Sequence, residues 1–360
     1  MKWFFTITCA AIALMSFGCA NHPKIQEELP YTKAEVDLKI DSLRDMTQKS
    51  FRVMQSNIEE IQQIQISYAG QLNQRQKNIT QLAIPQDVTF CGISVPMETL
   101  DGRMRFEQEL FFLFARQDYL ILYMLRANQW FPDVERLLAN SGLSNDLKYV
   151  PVGESGLRAN ARSAAHAQGW WQFISATGRK YGLLSNGDID MRNNLIASTN
   201  GAILYFKDLL DMFGGDYALA LAGYNMGENG LRRRIRDQKT SNYFELELSY
   251  ETSQYVFRMA AIKYALEHPL EFGIDPEAVV YWEPFAFDTV TVQVRFQLPL
   301  NDVVAWTNST MREIKRLNPE VKSAWPRGTY LINLPLGTRS IFFEELSRVK
   351  KNRCAKNTSH

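Results

Sequence analysis

Glu154 is the carboxylic acid around which the polar residues of this chain gather. It lies in Pro151-Val152-Gly153-Glu154-Ser155-Gly156-Leu157, and three polar clusters follow at wide intervals: Gly169-Trp170-Trp171-Gln172, Gly223-Tyr224-Asn225 and Glu251-Thr252-Ser253-Gln254-Tyr255-Val256. One acid followed by an amide, a Tyr-Asn pair and a late Tyr suits the cleavage of a glycosidic bond by general acid catalysis. Gln172 offers an amide to sugar hydroxyl or acetamido groups. The indoles of Trp170 and Trp171 offer faces to pyranose rings, and equally suit a buried core pair. Tyr224 and Asn225 follow an Ala/Leu-rich run and precede Met226-Gly227, which puts them at a helix end facing a cleft. Tyr255 sits on a helical run, either as a core tyrosine or with its hydroxyl reaching the acid.

The elements that must hold Glu154 can be read locally. Ser144 is placed to cap a helix running toward the acid, with Pro151 bending or shortening its last turn. A carboxylate near a helix C-terminus meets the negative end of the dipole. Val152, Leu157 and Trp170 add desolvation, so Glu154 is expected to stay protonated nearer to neutral pH than a free Glu, as a general acid requires. No clear second carboxylate accompanies it. Asp188-Ile189-Asp190 lacks the remaining ligands of a calcium loop and reads as a structural helix start. Arg232-Arg233-Arg234-Ile235-Arg236 reads as a solvated helix face.

Residues 88–271 are dense in aromatic and apolar helical patterns, with Ala202–Phe213 stopped by Gly214-Gly215 and a new helix opening at Tyr217. Residues 19–87 are rich in Gln, Lys, Glu and Asp. There a capping box at Thr32-Lys33-Ala34-Glu35 opens a helix whose apolar repeat stumbles between Leu43 and Phe51. Two readings stay open for it, a solvated stalk and an oligomerisation helix. Over 272–347 the alternation Val290, Val292, Val294, Phe296 marks a strand and Leu300–Asn308 a helix. A capping box at Thr310-Met311-Arg312-Glu313 opens a second helix, and Gly328–Pro335 marks a returning strand. Residues 348–360 form a basic tail, expected to be frayed.

Forty Lys+Arg against 39 Asp+Glu leave a net charge of +1, which argues against a nucleic-acid partner. Four scattered His and no metal-ligand spacing give no reason to expect a metal or other cofactor. At the N-terminus, Lys2 precedes an apolar run from Trp3 to Phe17 that is shorter than the ~20 residues of a membrane-spanning helix. It ends at Ser16-Phe17-Gly18-Cys19, so residues 1–18 read as an export signal and Cys19 as a lipidation site. Ala20 follows, leaving the outer membrane, facing the periplasm, as the expected destination. Cys91 and Cys354 would then meet an oxidising compartment, as a disulfide or as separate thiols.

The ordered series Glu-Ser, Gly-x-x-Gln, Tyr-Asn and Glu-Thr-x-x-Tyr-Val resembles the family 1 lytic transglycosylases, which cleave peptidoglycan on a lysozyme-like, goose-type fold. The resemblance covers roughly residues 90–345. It implies a mainly α chain with a lysozyme-like helical catalytic domain; the residues before that domain read as a helical stalk and those after it as a small C-terminal α+β unit. It also implies that Glu154 is the sole acid and base. Ser155, Gln172 and Asn225 would hold the saccharide, Tyr224 would line the cleft and Tyr255 would hydrogen-bond Glu154. The substrate implied is the peptidoglycan glycan strand, cut between N-acetylmuramic acid and N-acetylglucosamine to leave a 1,6-anhydro end. Trp171 departs from the family's usual Met or smaller apolar residue, and Gly153 and Gly223 replace bulkier ones. The C-terminal unit resembles a degenerate LysM module, with Leu298-Pro299-Leu300-Asn301 where Gly-Asp-Thr-Leu is usual, and fits glycan binding and packing equally. Two alternatives accompany this reading: a hydrolytic muramidase on the same fold, and a non-catalytic wall-binding lipoprotein.

Overall fold

The computed structural model describes residues 32–80, 82–283 and 286–357; the export signal and Cys19 lie outside the described residues, as does the side chain of Cys354. The chain divides into two compact units at Gln74/Arg75. The first is most of α1 (Lys33–Thr80), one continuous helix despite the stumble in its apolar repeat. Its capping box is formed: Thr32 N–H donates to Glu35 Oε2 at 2.7 Å, and Glu35 N–H to Thr32 Oγ1 at 3.4 Å. No helix among the described residues is long and apolar enough to cross a membrane.

The second unit opens with a short hairpin, β1 (Thr89–Phe90) and β2 (Ile93–Ser94), turned by Cys91 and Gly92, both at positive φ. The helices α2 (Leu100–Ala115), α3 (Gln117–Ala139), α4 (Val150–Ser155), α5 (Ser175–Lys180), α6 (Leu195–Met212), α7 (Tyr217–Met226), α8 (Glu228–Gln238) and α9 (Tyr250–Glu267) follow. Helix starts are capped by side chains: Thr99 for α2, Asn194 for α6, Asp216 for α7 and Ser249 for α9. α6 stops where Gly214 adopts φ 66° and Gly215 N–H returns to Leu210 O, the glycine stop expected there. The core beneath these helices includes Phe106, Leu110, Val152, Trp171, Phe206, Leu221 and Phe257, with α9 running through it. Leu82, in the segment assigned to the stalk, is also buried in this core.

A strand–helix–helix–strand layer comes next. β3 (Phe287–Val294) is followed by β4 (Leu298–Pro299), α10 (Leu300–Trp306), α11 (Met311–Leu317), β5 (Ala324–Trp325), β6 (Gly328–Pro335) and α12 (Arg339–Asn357). β3 and β6 pair antiparallel from Phe287↔Pro335 to Val294↔Gly328, so Val290, Val292 and Val294 face inward with Ile332 and Leu334. Residues 348–357 of the tail expected to fray instead continue α12, which is anchored by buried Phe342 and Leu346. Its second core also takes in Ile189 from the helical part. Ile189 bridges Val321, Asp190 N–H donates to Glu320 O at 2.7 Å, and Ser323 Oγ donates to Asp188 Oδ1 at 2.7 Å. Asp188-Ile189-Asp190 is thus the strap that joins the two layers.

Candidate active site

Glu154 is delivered by a short, over-determined segment. Ser144 Oγ accepts from Asp146 N–H and caps a 3₁₀ turn, Asn145–Tyr149, that runs directly into α4. α4 ends one residue after the acid, because Gly156 turns left-handed at φ 59° and its N–H bonds back to Val152 O at 2.9 Å. Gly153 is the contact with α9: a Cβ there would lie 2.3 Å from Met259 Cε. The missing side chain leaves room for the flexible end of Met259 where α4 and α9 approach. Tyr255, one turn before Met259 on the same face of α9, is brought under the acid by that approach. Its hydroxyl donates to Glu154 Oε1.

Electrostatics follow from this placement. Glu154 is largely enclosed and its carboxyl is pushed up to about 7, chiefly by burial. The Tyr255 hydrogen bond works the other way, Glu251 raises it further, and Arg258 lowers it. At neutral pH the acid is therefore poised between its two protonation states, with a phenol ready to receive the carboxylate form.

Tyr224 completes the immediate surroundings. Its ring stacks on Phe206 with centroids 4.8 Å apart, and its hydroxyl donates to Trp171 O at 2.5 Å. Burial and the nearby Glu154 charge both raise its pKa. Asn225 is held by the start of α9, its Oδ1 accepting from Thr252 Oγ1 at 2.7 Å and its Nδ2 reaching Glu251 Oε1 at 3.4 Å.

The other sequence candidates are placed differently. Gln172 is half-buried, and its Nε2 donates to Ala161 O and Gly169 O, bracing its own loop. Ser155 is buried; its hydroxyl donates to Pro151 O and accepts from Arg158 N–H. Trp171 donates to Thr199 Oγ1 in the core, and Trp170 donates to Asn193 O while packing edge-on to Trp130. The polar atoms of Ser155 and of both tryptophans are thus spent inside the protein. The loop itself is pinned by Arg192, which pairs with Asp190 at 2.7 Å and donates to Phe173 O and His166 O. Gly169 fits beneath it at φ 85°, where a Cβ would be 1.9 Å from Arg192 O.

Sequence reasoning assigned no role to Glu251 or Arg258, whose charges act on Glu154. The signal available was helical spacing, because they lie four residues before and three after Tyr255 on α9. Cys91 is a buried thiol pushed up to about 12, mainly by burial.

A carboxylic acid with a neutral-range pKa, hydrogen-bonded by a tyrosine where two helices meet, defines an acid–base class of site. Residues 135–246 match the Transglycosylase SLT domain family, so the chain carries an SLT domain. It is homologous to membrane-bound lytic murein transglycosylase D of Escherichia coli (strain K12), with 33% identity over 189 residues, 51% of this chain and 42% of that relative. The chain thus spans less than half the length of that relative. A putative tributyltin chloride resistance protein of Alteromonas sp. (strain M-1) is also 33% identical, over 94 residues covering 26% of this chain and 45% of the relative. Among solved structures, the lytic transglycosylase Slt from Pseudomonas aeruginosa aligns over 42% of this chain and 25% of its own, at 22% identity and a TM-score of 0.32. The 70 kDa soluble lytic transglycosylase SLT70 from Escherichia coli aligns over 49% and 33%, at 13% identity and a TM-score of 0.34.

Proposed function

We propose that this chain is a peptidoglycan lytic transglycosylase. Glu154 protonates the glycosidic oxygen between N-acetylmuramic acid and N-acetylglucosamine, and the C1–O bond breaks with the N-acetylglucosamine side leaving as an alcohol. The resulting Glu154 carboxylate, held by the Tyr255 hydroxyl, takes the proton of the muramic acid 6-hydroxyl as that oxygen closes on C1. A 1,6-anhydro end forms, no water is consumed and the acid is regenerated. The observation that carries this reading is the enclosed Glu154, pushed up to about 7 and bonded by Tyr255, within the SLT domain segment. An acid–base residue must hold a proton and release it at the working pH, and such a pKa favours both steps. In this reading Asn225, Gln172 and Tyr224 shape the cleft for the saccharide, and no cofactor enters.

Glu251 supports a second reading. Its charge acts on Glu154, and a second carboxylate is what a hydrolytic muramidase uses to activate water. Mass spectrometry of digested peptidoglycan separates the two, with anhydro ends for transglycosylation and free reducing ends for hydrolysis. We place the enzyme at the outer membrane through a lipid on Cys19, with α1 as stalk and the strand–helix–helix–strand layer as a LysM-like glycan-binding unit. Metabolic labelling with a radioactive fatty acid, lost on Cys19→Ser, tests the anchor.

A further inference from the structure

A cavity of about 1080 Å³ lies between the helical part and the C-terminal layer, and none of Glu154, Gln172, Tyr224, Asn225 or Tyr255 lines it. Arg126 and Arg136 of α3 and Arg158, just past the acid, contribute from one layer; Arg312, Lys315 and Arg316 of α11 contribute from the other. Against these six cations stand two acids. Asp133 is already paired with Arg136 at 2.7 Å. Glu320 is buried, its carboxyl pushed up to about 7 chiefly by that burial, and its Oε2 has no hydrogen-bond partner.

Two of these cations stand close enough to repel one another. Arg126 is half-buried, and burial followed by repulsion from Arg158 lowers its pKa. Among the described residues no carboxylate pairs with Arg126, Arg158, Arg312 or Lys315; the first two donate to the backbone oxygens of Gly156 and Ser155. Guanidinium groups held together in a concave site are forks for carboxylates. Trp130 and Trp282 also line the cavity and add apolar surface. A cavity of this size takes a short chain, whereas a long polyanion is disfavoured by a net charge of only +1.

We propose that this cavity binds the carboxylate-bearing peptide stems of the glycan strand, with the C-terminal layer supplying half of the site. The proposal rests on the substrate reading above and extends it from the sugar backbone to its side chains. Arg158 links the two regions: it lines the cavity while its Nε donates to Ser155 O, the residue after the acid. The strap Asp188-Ile189-Asp190 holds Glu320 and Val321, a few residues past α11, against the helical part.

The test uses the full chain carrying E154Q, so that strands are bound and not consumed, with soluble glycan strands either bearing stems or stripped of them by an amidase. The expected result is about tenfold tighter binding of stem-bearing strands, weakening as salt rises. R312E/K315E, at two exposed positions, should abolish that preference. Circular dichroism confirms that the variant is folded. Equal affinity for both strands, or a preference that survives R312E/K315E, overturns the stem site. If strands are cut normally with equal binding, the stem site alone falls. If the parent chain cuts neither strand, the functional reading falls with it.

Discussion

At Glu154 the physics has a sign that can be checked in two ways. Its carboxyl moves from an ordinary 4.5 to about 7 because burial disfavours the charge. The folded state therefore holds a proton that the unfolded state releases between about 4.5 and 7, and across that window stability falls as pH rises. Glu154→Gln removes the titration. At pH 8 it should be more stable than the parent by roughly 3 kcal/mol, at about 1.4 kcal/mol per pKa unit, with the advantage gone at pH 4. Paired thermal melts read this directly, and a constant difference at both pH values would count against it. Glu320, raised for the same reason, is present in both proteins and cancels. Activity should meanwhile fall by about 10²–10⁴-fold, the usual worth of a general acid. For the parent, the rate should decline as pH rises through 7. Tyr255→Phe removes the donor that favours the carboxylate, so the alkaline limb should move up while kcat drops roughly ten- to hundredfold, the range of a hydrogen bond to a charged group. A limb that moves down instead would show that Tyr255 does not act on Glu154.

Among the elements, the loop 157–174 and the strap 188–190 carry the geometry, and both rest on contacts distant in sequence. Gly169 sits at φ 85° against Arg192 O, so Gly169→Ala should destabilise the fold by roughly 2–4 kcal/mol through strain and clash together. Denaturant melts of the variant would reveal it. Ile189→Ala should cost about 2–4 kcal/mol, the range of a core truncation, and the loss should appear first as amide exchange in β3 and β6, because Ile189 belongs to their core. Uniform loss across α6 and α9 would place the residue in the wrong core. The sequence made α6 legible where a glycine stop closes an apolar run, and made β3 and β6 legible from alternation and turn residues. It could not place the strap, since Asp188-Ile189-Asp190 looks like any helix start until Val321 and Glu320 arrive beside it.

For the molecule as a whole, the site divides by how local its determinants are. Glu154 and its raised pKa were readable from apolar neighbours within a few residues, although burial, more than the helix dipole, sets the shift. Tyr255 was placed against the acid only through the family resemblance, because the two are joined by the crossing of α4 and α9 at Gly153. Side-chain direction was legible only as alternatives for the two tryptophans and not for Ser155: the hydrogen bonds of all three turn inward. Nor was the cationic cavity, whose two walls come from segments far apart in the chain. These parts converge on one reaction, and its product is the most direct readout. Purified peptidoglycan sacculi digested with the chain and analysed by mass spectrometry should yield muropeptides ending in 1,6-anhydro-N-acetylmuramic acid, with release by Glu154→Gln lower by about 10²–10⁴-fold. Reducing-end products from the parent chain, or undiminished digestion by Glu154→Gln, would contradict the account.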